Sequence, residues 1–160
     1  MGRLSLNIIS IVILATTLLA ASCRGRVVAE AHKTFGETGW HQDSSGAFDL
    51  VIPDTTSTYK ILLTITNNDD YPFTNLYLFA NITFPSGKII RDTMELILAD
   101  PRGKWTGGAW LGDYSNTFPY RSNIRFPEPG TYSFTIWQAM RCPNKHLQGI
   151  KSYKFSVLSY

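Results

Sequence analysis

The chain has 160 residues, with 15 basic and 12 acidic side chains and a formal charge of +3. A balance this weakly basic, with no Lys/Arg block, argues against nucleic acid as a partner. One domain of ~100–150 residues fits this length, and it would bury roughly 68 % of its unfolded surface without needing a disulfide or a metal.

The N-terminal stretch sets the organisation. A single positive charge, Arg3, precedes an apolar run from Ile8 to Leu19, and small residues follow in Leu19-Ala20-Ala21-Ser22-Cys23. A charged start, a short apolar core and small residues before a cut site make a secretory signal. Ending on cysteine, the stretch resembles the lipobox of bacterial lipoproteins, in which the cysteine is acylated and becomes the first mature residue. Residues 1–22 are therefore expected to be a lipoprotein signal peptide, with Cys23 a lipid anchor to a membrane and residues 23–26 a short lipidated tether. Two alternatives stand beside this. One is a plain secretory cut near Ala20-Ala21-Ser22. The other is a retained helix, although a span needs ~20 apolar residues and Ser10, Thr16 and Thr17 interrupt this run. If Cys23 is acylated, Cys142 has no partner, and a lone cysteine is more often a small buried hydrophobe than a nucleophile.

Residues 27–160 read as one β domain. Val27 to Phe35 is a first strand or an irregular lead-in; Gly39-Trp40-His41 and Ser44-Ser45-Gly46 read as turns. Phe48 to Ile52 is a short strand stopped by Pro53-Asp54. From Tyr59 to Thr66 the residues alternate, with Tyr59, Ile61, Leu63 and Ile65 on one face, as a strand covering a core requires. Asn67 to Pro72 is a turn cluster, because Asn and Asp bond their own backbone and tolerate left-handed geometry. Asn75 to Phe84 and Lys88 to Leu98, joined by Pro85-Ser86-Gly87, read as a hairpin. Residues 103–114 are rich in glycine and aromatic residues and cannot be a regular helix, where each glycine costs ~1 kcal/mol. Thr117 to Phe126, Thr131 to Gln138 and Lys151 to Leu158 are the remaining strands, and residues 140–149 are a basic loop. The fold class is all-β: an antiparallel two-sheet β-sandwich, jelly-roll or immunoglobulin-like, of about eight strands.

No catalytic set emerges. No serine occupies a Gly-x-Ser-x-Gly elbow. His32, His41 and His146 are scattered without metal spacing, and Asn67 to Asp70 lacks the alternating ligands of a calcium loop. Asp92 and Glu95 lie three apart, which puts them on opposite faces of a strand, whereas a glycosidase needs two carboxyls ~5–10 Å apart. No enzyme activity, cofactor or metal is expected. Trp105, Trp110, Tyr114 and Tyr120 cluster around glycines. If exposed they would stack on sugar rings or anchor a protein partner; if buried they plug an end of the sandwich.

Several segments together resemble one family: Asn68-Asp69-Asp70-Tyr71-Pro72-Phe73-Thr74-Asn75-Leu76-Tyr77-Leu78, Asp92-Thr93-Met94-Glu95-Leu96, Gly103-Lys104-Trp105 with Trp110-Leu111-Gly112, Gly130-Thr131-Tyr132, and Gln138-Ala139-Met140-Arg141 with Leu147-Gln148-Gly149-Ile150. In order and spacing they resemble the GldH family of gliding-motility lipoproteins of Bacteroidetes. The resemblance implies a non-enzymatic envelope lipoprotein that supports gliding motility, type IX protein secretion or both through contacts with envelope proteins of that machinery. A glycan-binding module of the envelope is the alternative. The basic Arg24-Gly25-Arg26 after the cysteine, in place of the acidic run of surface-exported lipoproteins in that group, implies the periplasmic face of the outer membrane. Asp54-Thr55-Thr56 and Asp92-Thr93-Met94 match the group's short O-glycosylation pattern, making Thr55 and Thr93 candidate acceptors.

Overall fold

A computed structural model describes residues 25–142 and 144–160. The expectations for the signal peptide and for Cys23 fall outside the described residues.

Among the described residues eleven strands follow in chain order: β1 (Arg26–Thr34), β2 (Trp40–His41), β3 (Gly46–Ile52), β4 (Tyr59–Asn68), β5 (Asn75–Thr83), β6 (Ile89–Ile97), β7 (Gly108–Trp110), β8 (Asp113–Ile124), β9 (Gly130–Gln138), β10 (His146–Leu147) and β11 (Ile150–Ser159). They form a first sheet in the order β1-β11-β4-β8-β7, a second in the order β3-β9-β5-β6, and a two-stranded patch of β10 and β2. Every pairing is antiparallel. The expected sandwich is present.

The long strands pair as nested hairpins: β1 with β11, β3 with β9, β4 with β8 and β5 with β6. The outermost strands of the chain thus meet each other and the innermost form a tight hairpin, the nesting of a jelly roll. Of the two topologies open at the sequence level, the strand order decides for the jelly roll. The short β7 extends its first sheet.

Alternation builds the core. Tyr59, Ile61, Leu63 and Ile65 of β4 are buried, as are Tyr153, Phe155 and Val157 of β11. Facing them from the second sheet are Leu50 and Ile52 of β3, Leu76, Leu78 and Ala80 of β5, and Tyr132, Phe134 and Ile136 of β9. Rings bridge the layers: Phe48 stacks on Phe134 at 4.9 Å and meets Phe155 of the other sheet at 5.2 Å. On the outer face of the first sheet polar residues pair across strands, Thr64 with Thr117 and Thr66 with Ser115, each at 2.9 Å.

Two local readings change. Gly39-Trp40-His41 is more than a turn. Gly39 takes φ 80°, but Trp40 then enters β2 and is fully buried, stacked on Phe35 at 4.6 Å. The basic loop is partly a strand: Leu147 of β10 pairs with Trp40 and is buried. Both differences have one cause. A two-residue strand has no visible period, and it exists only because a distant segment lies beside it. The lead-in is a strand from Arg26 onward, so the expected tether overlaps β1 by one residue.

Candidate functional site

The sequence-selected aromatic segment folds as a small projecting hairpin. Trp110 pairs with Asp113, leaving Leu111 and Gly112 as a two-residue connection. Their φ values are 49° and 87°. Positive φ at both central residues is what a type I′ connection needs to match the twist of its strands. Glycine adopts it freely, whereas a bulky side chain there is an outlier. Leu111 nonetheless holds it and is 89 % exposed, beside Trp110 at 76 %. The tip therefore presents two large apolar side chains to solvent on a constrained turn.

The base of the hairpin is fixed. Gly107 lies so close to β8 that a Cβ would sit 2.8 Å from the Ser115 backbone and 2.7 Å from the Asn116 amide. Thr106 Oγ1 lies 2.9 Å from Asn116 Oδ1 and 3.0 Å from the Leu98 carbonyl oxygen, and its one proton serves either acceptor. Trp105 is half-buried, and its Nε1–H donates to Asp69 Oδ1 at 2.7 Å. Its ring leans on Tyr114 at 5.7 Å and on Tyr71 at 6.3 Å. Tyr114 is also half-buried, and its phenol is pushed up, first by desolvation and then by the Asp69 charge. The planes of Trp105 and Tyr114 are inclined by 35°, so they do not make the flat shared platform on which a sugar ring would stack. They act instead as a buttress, tying the Asn67–Pro72 turn to the hairpin.

Tyr120 leaves the contact set. It lies on the inner face of β8, is buried, and packs edge-on against Phe155 at 5.9 Å. Its hydroxyl donates to Asp92 Oδ2 at 3.1 Å, and Asp92 is also ion-paired with Arg121. Burial, then the Asp92 charge, pushes the Tyr120 phenol well above its ordinary value. Inward alternation from Asn116 and Phe118 separates it from the exposed aromatic residues nearby, and Tyr120 itself falls at a register shift in the pairing with β4.

Of the candidate acceptors, Thr55 is exposed in the β3–β4 connection, and Thr93 is exposed in the middle of β6. Asp54 Oδ1 beside Thr55 accepts bonds from the Thr56 amide and hydroxyl and from the Ser57 amide, which hold its carboxyl below the usual range. Asp92 and Glu95 fall on opposite faces of β6: the first turns inward to Arg121 and Tyr120, while the second is exposed and bonded to Asn75 Nδ2 at 2.7 Å. Cys142 has no disulfide partner among the described residues. It is half-buried, and burial pushes its thiol up, which lowers the thiolate fraction at neutral pH.

Two features escaped the linear reading. His41 and His146 face each other across β2 and β10 with ring centroids 4.6 Å apart, although 104 positions of chain hide that proximity. Phe79 and Trp137 meet on the outer face of the second sheet, centroids 6.1 Å apart. They line a hollow of about 540 Å³ together with Asn81, Arg91 and Thr93. Alternation separates each ring from the core-facing residues of its own strand, but only the β5–β9 register joins the two.

Comparison with known proteins now bears on identity. Among solved structures, a similar chain is the insecticidal delta-endotoxin Cry8Ea1 from Bacillus thuringiensis, with a TM-score of 0.45 at 9 % identity, covering 77 % of this chain and 19 % of that one. The relatives by sequence are nearer. The gliding motility lipoprotein GldH homolog of Christiangramia forsetii is 37 % identical over 136 residues, 85 % of this chain and 82 % of that protein. The gliding motility lipoprotein GldH of Flavobacterium johnsoniae is 32 % identical over 151 residues, 91 % and 93 % of the two chains. The GldH lipoprotein family pattern itself matches residues 27–156, which is nearly the whole jelly roll with its aromatic hairpin, and this chain belongs to that family.

Proposed function

We propose that this protein is a lipid-anchored lipoprotein of the cell envelope that supports gliding motility, and with it type IX secretion, by holding other envelope proteins rather than by catalysis. The observation that carries the reading is the family match across residues 27–156, together with relatives named as gliding motility lipoproteins. The chemistry of the surface agrees with it. Trp110 and Leu111 stand on a braced hairpin, and large exposed apolar side chains on a rigid support are suited to anchor a partner. In this reading Cys23 ties the body to the periplasmic face of the outer membrane, and the jelly roll sets how far the hairpin stands from it.

Two measurements test the proposal. Growth with a fatty-acid analogue should label the wild-type chain and leave Cys23→Ala unlabelled; an unlabelled wild type under working controls removes the anchor. Affinity capture from detergent-solubilised membranes should recover envelope proteins with the wild type, and their recovery should fall with Trp110→Ala. Capture no greater than from a Cys23→Ala control counts against the contact role. Deletion followed by parallel assays of colony spreading and of protein secretion separates motility from secretion.

A further inference from the structure

The free edges of the two sheets are treated differently by the sequence. An open edge strand is a template for another chain, and proteins blunt it with bulges, proline, charge or short length. At β1 the pairing with β11 skips at Val28. The open stretch of β8 beyond β7 carries Pro119, two register shifts and Asn123 at φ 55°. β3 is short, begins at Gly46 and ends before Pro53. β6 has no bulge, proline or shortening; what it carries is charge, Arg91 and Glu95 on the outer face and Asp92 turned inward. All nine residues, Ile89 to Ile97, pair with β5 in an unbroken register, and β6 is the last strand of its sheet.

The hydrogen-bond phase identifies which β6 residues face outward along that edge. Phe84 N–H donates to the Lys88 carbonyl at one end of the β5–β6 ladder, and Leu98 N–H donates to Thr74 at the other, each at 2.8 Å. Bonded and non-bonded pairs alternate in an antiparallel ladder. The even residues of β6 therefore bond β5, while Ile89, Arg91, Glu95 and Ile97 aim their N–H and C=O groups at the open edge; the Thr93 carbonyl does so too, but its N–H donates to Asp92 Oδ1 at 2.9 Å. The side chains of these same five residues are exposed on the outer face of the sheet.

These five residues are self-complementary end to end: apolar, positive, neutral, negative, apolar. We infer that β6 is a self-complementary docking edge that pairs antiparallel with β6 of a second copy, on a two-fold axis through Thr93. In that register Ile89 lies opposite Ile97 of the copy, Arg91 opposite its Glu95, and Thr93 opposite its Thr93. Every facing pair is of the bonded kind; the Ile–Ile and Arg–Glu pairs exchange two N–H···O bonds each, and the Thr93 pair does so once its N–H leaves Asp92 Oδ1. Opposite charges and apolar pairs directly across strands are the favourable combinations, and two-fold symmetry supplies each of them twice. Arg91 has no ion-pair partner among the described residues. Shifting the register by two residues in either direction loses the Arg–Glu match, so the charges select the alignment. An edge of this length lies below the ~1,200 Å² of a standard interface, the size class of weak and transient encounters. Anchoring both copies to one membrane raises their effective concentration.

Sedimentation equilibrium of the full chain in detergent tests the inference. The wild type should show a monomer–dimer equilibrium. Arg91→Glu sets glutamate against Glu95 of the copy, and Glu95→Arg sets arginine against Arg91; each should weaken the dimer roughly tenfold or more. The double variant restores the opposite pairing and should return the dissociation constant to near wild type. Thr93→Lys, which puts two ammonium groups on the axis, should also dissociate it. Circular dichroism establishes that each variant keeps its fold. A wild type monomeric at all concentrations overturns the proposal, as does a double variant no tighter than the single ones. A glycan found on Thr93 of the native chain, or a strand of a different envelope protein crosslinked along β6, would overturn it as well.

Discussion

Leu111 combines a positive φ with 89 % exposure. The backbone conformation costs about 1–2 kcal/mol for a non-glycine residue, and the exposed side chain recovers none of it by packing. Trp110 beside it is nearly as exposed. Replacing Leu111 by glycine should therefore leave stability unchanged or raise it by up to about 1 kcal/mol, and Trp110→Ala should shift it by less than about 0.5 kcal/mol. Both substitutions should reduce partner capture and spreading. Thermal melts and spreading assays on the same variants check this, and a spreading phenotype as strong as wild type with either one would remove the tip from the contact surface. Trp105 behaves differently, because its indole N–H is tied to Asp69 and its ring braces Tyr114. The sequence marks all these residues alike as aromatic among glycines. It cannot tell a tip from a buttress, since that depends on which side of β8 each ring meets.

At the scale of elements, the β2–β10 patch depends on two close backbone approaches. Gly39 has φ 80°, and a Cβ there would sit 2.2 Å from the Leu147 carbonyl oxygen; Gly149 has φ 78°, and its Cβ would sit 2.1 Å from the Tyr71 amide nitrogen. Neither neighbour is a flexible side-chain end, so the backbone itself would have to move. Gly149→Ala should cost at least about 2 kcal/mol, read as a fall in Tm of roughly 6–10 °C. A melt within a degree or two of wild type would show that the Asn67–Pro72 turn yields. The hairpin of β5 and β6 was legible from alternation and from Pro85-Ser86-Gly87, because its contacts are local. β2 and β10 were not legible, because each is stabilised by a partner 105 to 107 positions away rather than by a period of its own.

For the whole molecule, the nested pairing places most contacts between residues far apart in sequence, with the first strand closing on the last. Folding is then expected on the millisecond-to-second scale of other sandwiches with non-local pairing. The buried phenols give a second whole-molecule expectation. Burial raises Tyr153 from 10.0 to about 12, and it also drives Tyr71 and Tyr120 upward. A folded-state value above the unfolded one means that the stabilising contribution is complete below pH ~10 and is lost as pH rises through the folded value. Stability should therefore decline from about pH 10 towards pH 12, with tyrosinate absorbance appearing together with loss of the β signal. Free titration of all tyrosines at pH ~10 with the fold intact would contradict the burial.

The sequence by itself determined the all-β class, the strands with a clear period of two, the hairpin of Asn75 to Leu98, the opposite facing of Asp92 and Glu95, and the family. These follow from patterns a few residues long, or from the order of short motifs along the chain. Tertiary structure alone decided the jelly-roll order, the burial of Tyr120, the meeting of Phe79 with Trp137 and of His41 with His146, and which of the sheet edges lies open. Each of these is a fact about register between distant strands. A period of two says that a residue faces one way or the other, and only the partner strand turns that alternative into inside, outside or edge.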